Sequence, residues 1–298
     1  MIGQRSVTRI GSRDFAWGER TYVIGIVNVT PDSFSGDGLL TSHSGRGAGA
    51  PTTAELAVAH ARAMVEEGAD VLDVGGESTR PGHQEVAEAN EVERVVPVVA
   101  AIRAALPDIP ISIDTTKATV ARAALDAGAN LINDVWGVAP RTDLVDLAAD
   151  RQVPIVLMHN RAEPRYSDLM AEVLADLEGA IERALAAGVP IENVIIDPGF
   201  GFGKTPVQNL RLLRELPRLR ELGHPVLLGT SRKSTLGRVL DLPPEERLEA
   251  TLVTTALGIA GGADMLRVHD VRANVRAARM ADTIVHGNAD ARLAEPSR

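Results

Sequence analysis

The chain has no cysteine among its 298 residues. That one absence excludes disulfides, thiolate zinc sites, cysteine-ligated iron–sulfur clusters and cysteine nucleophiles, and it leaves the redox compartment unmarked. Aromatic residues are scarce as well, at 3%, with four phenylalanines in all: Phe15, Phe34, Phe200 and Phe202. No run approaches the roughly eighteen uninterrupted apolar residues that a membrane span requires. The stretch from Met1 to Gly18 carries Arg5, Arg9, Arg13 and Asp14 without an apolar core, so a signal peptide is not expected. Net positive charge is also missing. With Lys+Arg at 31 and Asp+Glu at 40, the formal charge is −9, and the long-range field repels nucleic acid and anionic membrane alike. A soluble cytoplasmic protein that engages neither is expected, and any anionic substrate must be held by a local cluster of cations.

What the chain does have is alternation. Continuous apolar runs at Tyr22–Asn28, Val71–Gly75, Ile111–Asp114, Leu131–Asn133, Pro154–Met158, Val194–Asp197, Val226–Gly229 and Met265–Val268 read as parallel strands buried on both faces. Helical patterns lie between them. Ala57, Ala61, Met64 and Val65 share one helical face, as do Val120, Ala121, Ala124 and Leu125. Leu212, Leu216 and Leu219 continue the series, with Pro217 expected to kink or end that helix. Gly68-Ala69-Asp70, Gly128-Ala129-Asn130 and Gly262-Ala263-Asp264 each close a helix and introduce a strand, as a glycine at a helix C-terminus does. Eight such units predict an α/β protein, a (β/α)8 barrel in a single domain. A doubly wound open sheet is the rival, but it would open with a Gly-rich turn after the first strand, where Asn28-Val29-Thr30-Pro31 stands instead. The expected organisation is an N-terminal extension (1–21), the barrel (22–286) and a disordered tail (287–298). Gly36–Thr53, rich in Gly, Ser and Thr, reads as a mobile loop.

Polar residues stand at the C-terminal end of nearly every expected strand: Asn28, Asp73 with Glu77-Ser78-Thr79-Arg80, Asp114, Asn133-Asp134, His159, Asp197, Ser231-Arg232-Lys233, and Arg267 with His269. In a barrel these crowd one rim, the rim that carries barrel active sites. Carboxylates there suit a ligand edge rich in N–H donors, and the cations suit phosphate. A divalent cation held mainly by substrate phosphates would need few protein oxygens, and Asn28 can supply one.

The motifs themselves carry a resemblance. Gly25-Ile26-Val27-Asn28-Val29-Thr30-Pro31-Asp32-Ser33-Phe34-Ser35 and Asp73-Val74-Gly75-Gly76-Glu77-Ser78-Thr79-Arg80-Pro81-Gly82 resemble the signatures of dihydropteroate synthases. Ser112-Ile113-Asp114-Thr115, Asn133-Asp134-Val135, Asp197 through Lys204, Gly229 through Lys233 and Arg267 through Asp270 follow in family order, over roughly Val23 to Val271. The resemblance implies a transferase of folate biosynthesis, a homodimer using Mg2+. It would join 6-hydroxymethyl-7,8-dihydropterin pyrophosphate to p-aminobenzoate, giving 7,8-dihydropteroate and pyrophosphate. Carried over by position, it implies that Asn28 ligates Mg2+ and that Asp114, Asn133, Asp197 and Lys233 bind the pterin edge, with Met158 and Phe202 walling its pocket. It assigns Thr79, Arg267 and His269 to the pyrophosphate, and Phe34, Pro81 and Ser234 to the p-aminobenzoate pocket; Arg80 and Val268 complete the substrate-binding set. Asp114, Lys233, Arg267 and His269 are the catalytic candidates, and the loops Val29–Ser35 and Ser78–Gly82 would close over the site. The implied chemistry is SN1-like, the arylamine attacking after pyrophosphate has left.

Other readings stand beside this one. Lys233 at a strand end also fits a Schiff-base lysine of the aldolase kind. A methyltetrahydrofolate methyltransferase on the same barrel and a non-catalytic pterin-binding paralogue are the competing functions. Gly199-Phe200-Gly201-Phe202-Gly203-Lys204-Thr205 looks like a phosphate loop, yet it has three residues between its outer glycines where that motif needs four. His159 reads as loop packing. No zinc-protease spacing of histidines occurs. Three departures from the family concern loop closure and p-aminobenzoate geometry: Gly36-Asp37-Gly38 in place of Asp-Gly-Gly, His83, and the bulky Trp136.

Overall fold

The computed structural model describes residues 7–29, 51–77 and 86–287. The bulk of the Gly36–Thr53 segment (36–50) and the tail from 288 lie outside the described residues. The chain opens with a short antiparallel hairpin, β1 (Val7–Ile10) and β2 (Arg13–Ala16). Eight parallel strands follow: β3 (Tyr22–Asn28), β4 (Val71–Gly75), β5 (Ile111–Asp114), β6 (Leu131–Asp134), β7 (Ile155–Met158), β8 (Val194–Asp197), β9 (Leu227–Leu228) and β10 (Met265–Val268). Each pairs with the next from β3 to β8, and β9 pairs with β10, which returns to β3. A parallel bridge between Ile196 and Val226 joins β8 to β9. The ring so formed is a (β/α)8 barrel, as the sequence pattern predicts.

Helices cover the outside: α1 (Thr53–Glu66), α2 (Glu88–Ala105), α3 (Ala118–Asp126), α4 (Asp143–Arg151), α5 (Leu169–Ala186), α6 (Pro206–Arg214), α7 (Ser234–Leu240), α8 (Leu248–Ala260) and α9 (Val271–His286). Among the described residues, none is long and apolar enough to cross a membrane. α1 begins with a reciprocal capping box between Thr52 and Glu55, which satisfies two of its orphan amides. α6 stops at Arg214 and continues as a 3-10 turn from Leu216 with Pro217 near its start, the break that Pro217 was expected to impose. Gly68, Gly128 and Gly262 all have positive φ, between +98° and +116°, as the recurring helix-to-strand loop requires.

Strand alternation divides the core. Val23, Leu72, Ile113, Ile132 and Leu266 face outward into the layer beneath the helices. Ile24, Val71, Leu131, Val156, Ile195, Leu227 and Met265 face inward. That inner layer is closed from below by the hairpin, whose Ile10 and Phe15, with Trp17 and Tyr22, join the same apolar cluster. The Phe15 and Tyr22 rings lie 4.7 Å apart and the Trp17 indole meets Tyr22 edge-on at 5.5 Å. Residues 7–17, set apart from sequence as part of an extension, thus form the floor of the barrel.

Candidate active site at the carboxyl rim

Moving two residues along each strand from the inner apolar layer keeps the side chain inside the barrel and raises it to the rim. That step leads from Val71 to Asp73, from Leu131 to Asn133, from Val156 to Met158, from Ile195 to Asp197 and from Met265 to Arg267. On β5, Ser112 and Asp114 occupy the inward positions. Below the rim the barrel is apolar; at the rim it is charged.

Arg267 organises one side. Its Nε donates to Asp73 Oδ2 at 2.6 Å and its Nη2 to Asp114 Oδ2 at 2.7 Å. Asn133 Nδ2 reaches the same Asp73 oxygen at 3.4 Å. Burial pushes the Asp114 carboxyl up to about 7, against the pull of Arg267 and with the help of the Asp73 charge. Burial works against the Arg267 cation, but Asp73 and Asp114 together hold it more firmly protonated than an ordinary arginine. Asp73 Oδ1, Asp114 Oδ1 and Ser112 Oγ are buried and have no hydrogen-bond partner in the protein. Unpaired buried oxygens are costly, so this corner is built to receive N–H donors from a ligand.

Asp197 and Lys233 form the opposite corner. Asp197 Oδ1 accepts from the Gly199 amide at 2.7 Å; burial raises its pKa and Lys233 opposes that rise. Lys233 Nζ donates to the Phe200 carbonyl and sits 4.3 Å from the centre of the Phe202 ring. Burial lowers the Lys233 ammonium to about 8, with Asp197 resisting. The loop that makes these contacts is fixed by its sequence: glycines at 199, 201 and 203 all take positive φ, and a capping box between Thr205 and Gln208 then starts α6. Buried Asn209 ties the loop to α7, accepting from Gly201 N at 2.7 Å and donating to Thr235 Oγ1 at 2.9 Å.

A third group lies at the ends of β9 and β10. Ser231 Oγ accepts from the His269 amide at 3.1 Å and lies 2.9 Å from His269 Nδ1. The arrangement that satisfies both has Ser231 donating to Nδ1, leaving the ring proton on Nε2. Arg232, at positive φ, is held by Asp270 through Nε at 2.9 Å and Nη2 at 2.6 Å. Asn28 is half-buried at the end of β3, and Ser234 opens α7.

Of the sequence-derived set, the structure brings Asp114, Asn133, Met158, Asp197, Phe202, Lys233, Arg267 and His269 to one rim, with Asn28 at its edge. Val268 differs. It is the outward residue of β10 and packs into the layer under the helices, so only its backbone reaches the rim. Phe34, Thr79, Arg80 and Pro81 lie outside the described residues, as do His83 and the loops 30–35 and 78–82. Trp136 stands at the turn after β6, partly exposed, its amide bonded to Asp134 Oδ1 at 2.9 Å. Sequence reasoning set Asp73, Glu77 and Ser231 on the rim without giving them a role in the site, and it missed Asn209 and the ion triad in which Lys117 holds Glu77 and, at 2.7 Å, buried Glu91. The three rim residues stand among the strand-end polar residues, whereas Asn209, Lys117 and Glu91 lie within or beside helices and gave no such signal.

Comparison with known proteins agrees with this geometry. Residues 24–269 match the family described as pterin binding enzyme. A dihydropteroate synthase of Clostridium beijerinckii is 52% identical over 93% of this chain and 99% of its own length. One from Bacillus subtilis is 46% identical over 96% of both chains. The structure of Xanthomonas albilineans dihydropteroate synthase with 4-aminobenzoic acid superposes with a TM-score of 0.85 at 41% identity, covering 98% of this chain and 100% of the other.

Proposed function

The chain belongs to the pterin binding enzymes and, among them, to the dihydropteroate synthases, and from that membership we propose that it condenses 6-hydroxymethyl-7,8-dihydropterin pyrophosphate with p-aminobenzoate. The products are 7,8-dihydropteroate and pyrophosphate. The observation that carries this reading is the make-up of the rim: the buried carboxylates of Asp114 and Asp197 and the Lys233 ammonium gather there with Arg267, which is bonded to Asp114, and with the Ser231–His269 pair where β10 ends. An aminopyrimidinone edge offers N–H donors to both carboxylates, and its carbonyl accepts from an ammonium.

In the proposed reaction the bond between the pterin methylene and the pyrophosphate oxygen breaks, and the electron pair leaves on pyrophosphate. Arg267 and His269 meet the charge that develops there. The methylene cation is delocalised into the ring, and Asp114 and Asp197 stabilise it as fixed negative charges. The arylamine nitrogen of p-aminobenzoate then forms the new C–N bond and gives its proton to water.

Mg2+ fits the site in one respect that the donor set decides. Among the described residues, no three carboxylates or histidines gather to hold a metal by themselves, while Asn28 offers a neutral oxygen at the rim. That suits a hard cation carried mainly by phosphate oxygens and water. When bound it would neutralise charge on the departing pyrophosphate, with Asn28 as its protein ligand.

A homodimer belongs to the same proposal. α8 exposes Val253 and Leu257, one turn apart, and α9 exposes Met280 and Ile284 in the same spacing; the two helices pack side by side. A cytoplasmic location is also part of it, and activity confined to the membrane pellet of a fractionated cell would overturn that part.

The deciding experiment measures pyrophosphate release from the dihydropterin pyrophosphate with Mg2+, with and without p-aminobenzoate, in the wild type and in Asn28→Ala and Lys233→Ala. Release that needs p-aminobenzoate and is lost in both variants is expected. Tight pterin binding without turnover would instead indicate the non-catalytic paralogue. Positional isotope exchange in the pyrophosphate without p-aminobenzoate tests the order of bond changes; exchange is expected if ionisation precedes attack.

A further inference from the structure

Lys204 ends the glycine loop that resembled a phosphate loop, but its ammonium faces the protein. Nζ lies 3.0 Å from Gly199 O, 3.0 Å from Phe202 O and 2.9 Å from His159 Nδ1. Those three acceptors use all three donors of the group. The amides that would cradle a phosphate are taken as well: Gly199 N by Asp197 Oδ1, Gly201 N by Asn209 Oδ1 and Phe202 N by Gly199 O. A phosphate loop turns its N–H groups toward an anion. Here the carbonyls turn toward a cation that the loop itself supplies.

His159 completes the arrangement. Its side chain is fully buried, and Nε2 lies 3.1 Å from Asp176 Oδ2. Burial lowers the Lys204 ammonium to about 7, with Asp197 resisting; in its protonated form it only donates, so Nδ1 accepts and the ring proton sits on Nε2, toward Asp176. Asp176 is itself held by Arg161 Nε at 3.0 Å and Nη2 at 2.7 Å. Burial, with Lys204 and Arg161 beside it, drives the His159 pKa down to about 2, so the ring stays a neutral acceptor. There is no room for adjustment at the join: a Cβ on Gly199, at φ +68°, would fall 1.8 Å from the His159 carbonyl oxygen.

We propose that Lys204 is a positioning residue for pterin recognition. Its ammonium, seated on neutral His159, is the internal template of the Gly199–Gly203 loop and thereby sets Lys233 in the pterin pocket. The link is direct. Between the two carbonyls that Lys204 grips lies Phe200, whose carbonyl accepts from Lys233 Nζ. Phe202, whose own carbonyl is gripped, lays its ring 4.3 Å from that same nitrogen. The inference rests on the pterin-binding reading above and adds a residue that touches no substrate.

Its test compares Lys204→Met, His159→Leu and His159→Asn, which keeps an oxygen acceptor near Nδ1. Dissociation constants are measured for 6-hydroxymethylpterin, which lacks pyrophosphate, and for the dihydropterin pyrophosphate, alongside the KM for p-aminobenzoate and the Tm. Lys204→Met and His159→Leu should lose affinity for both pterins by the same factor, about 10- to 100-fold, the scale expected when a reacting group is misplaced from a distance. The KM for p-aminobenzoate should stay put, and His159→Asn should recover most of the loss. A loss confined to the pyrophosphate-bearing ligand would make Lys204 a phosphate contact, and a lowered Tm with unchanged pterin affinities would make it merely structural; either overturns the proposal. Nitrogen-15 NMR of the histidine-labelled protein needs no ligand. The His159 ring, assigned by its signal's absence in His159→Asn, should be neutral, protonated on Nε2 and not titrating across the range where histidines normally ionise, and a His159 ring that ionises there or carries its proton on Nδ1 would overturn the clamp. Failure of the wild type to bind either pterin would count against the proposed function instead, and would leave the NMR result to decide the clamp.

Discussion

Arg267 Nε donates to Asp73 Oδ2 at 2.6 Å across the mouth of the barrel, joining β10 to β4 over the intervening β3. The same oxygen receives Asn133 Nδ2 at 3.4 Å, so one carboxylate ties Arg267, proposed to meet the pyrophosphate, to Asn133, proposed to meet the pterin. Asp73→Asn keeps the shape and removes the charge. Arg267 then loses its strongest anchor, and kcat/KM for the pterin substrate should fall about 10- to 100-fold, as for a catalytic group displaced by a small distance. The Asp73 charge also helps to raise the Asp114 pKa, so the acid limb of the kcat/KM profile should move to lower pH in this variant. An acid limb that stays where it was would remove Asp73 from the account.

The wild-type pH profile follows from three shifted groups, Asp114 and Lys233 at the site and Lys204 behind it, which burial lowers to about 7. Asp114 is pushed up to about 7 by burial, and Lys233 down to about 8 by burial. Pterin recognition as proposed needs Asp114 ionised and Lys233 protonated. Affinity for 6-hydroxymethylpterin should therefore rise with pH as Asp114 loses its proton and fall again as Lys204 and Lys233 lose theirs, a narrow bell. Arg267→Met removes the cation that opposes the rise in Asp114, so the acid limb should shift upward, opposite to Asp73→Asn. Fluorescence titration of pterin binding across pH reads both limbs, and a flat profile would contradict the assignment.

The strands of the barrel were legible because parallel strands buried on both faces leave continuous apolar runs, and most of their ends fall where those runs end. The rim was legible for the same reason: polar residues closing apolar runs are conspicuous. Partnerships were not. Arg267 and Asp73 are 194 positions apart, and no local pattern announces that they meet. Lys204 and His159, 45 positions apart, were separately read as a phosphate-loop look-alike and as packing. Val268 sits one residue from Arg267, and only the strand's period of two separates a core residue from a site residue. The hairpin escaped because its strands are four residues each and carry Thr8, Arg9, Arg13 and Asp14 among the apolar positions.

That hairpin carries a stability prediction separate from catalysis. Phe15 is 2% exposed and belongs to the inner apolar layer beneath the rim. Phe15→Ala should cost about 3–5 kcal/mol, the usual range for losing a buried aromatic ring. Equilibrium denaturant unfolding measures it. Because the rim lies above the plugged layer, pterin affinity of the folded variant should stay close to that of the wild type. A large loss of affinity with little loss of stability would mean that the floor acts on the rim.

The apolar residues on α8 and α9 supply the last prediction. Leu257 is 56% exposed and Ile284 is 69% exposed, values a helix facing water does not need, and burying such side chains is worth about 1.5–3 kcal/mol each. If a second copy covers this face, a carboxylate there must be desolvated at the interface and repelled by its symmetry mate. Leu257→Glu with Ile284→Glu should therefore convert a wild-type dimer to a monomer in sedimentation velocity, while far-UV circular dichroism stays native. Both substitutions lie on the outer surface of the helices, away from the rim, so 6-hydroxymethylpterin should still bind the monomer. A wild type that sediments as a monomer, or a double variant that remains a dimer, would move the interface elsewhere or remove it.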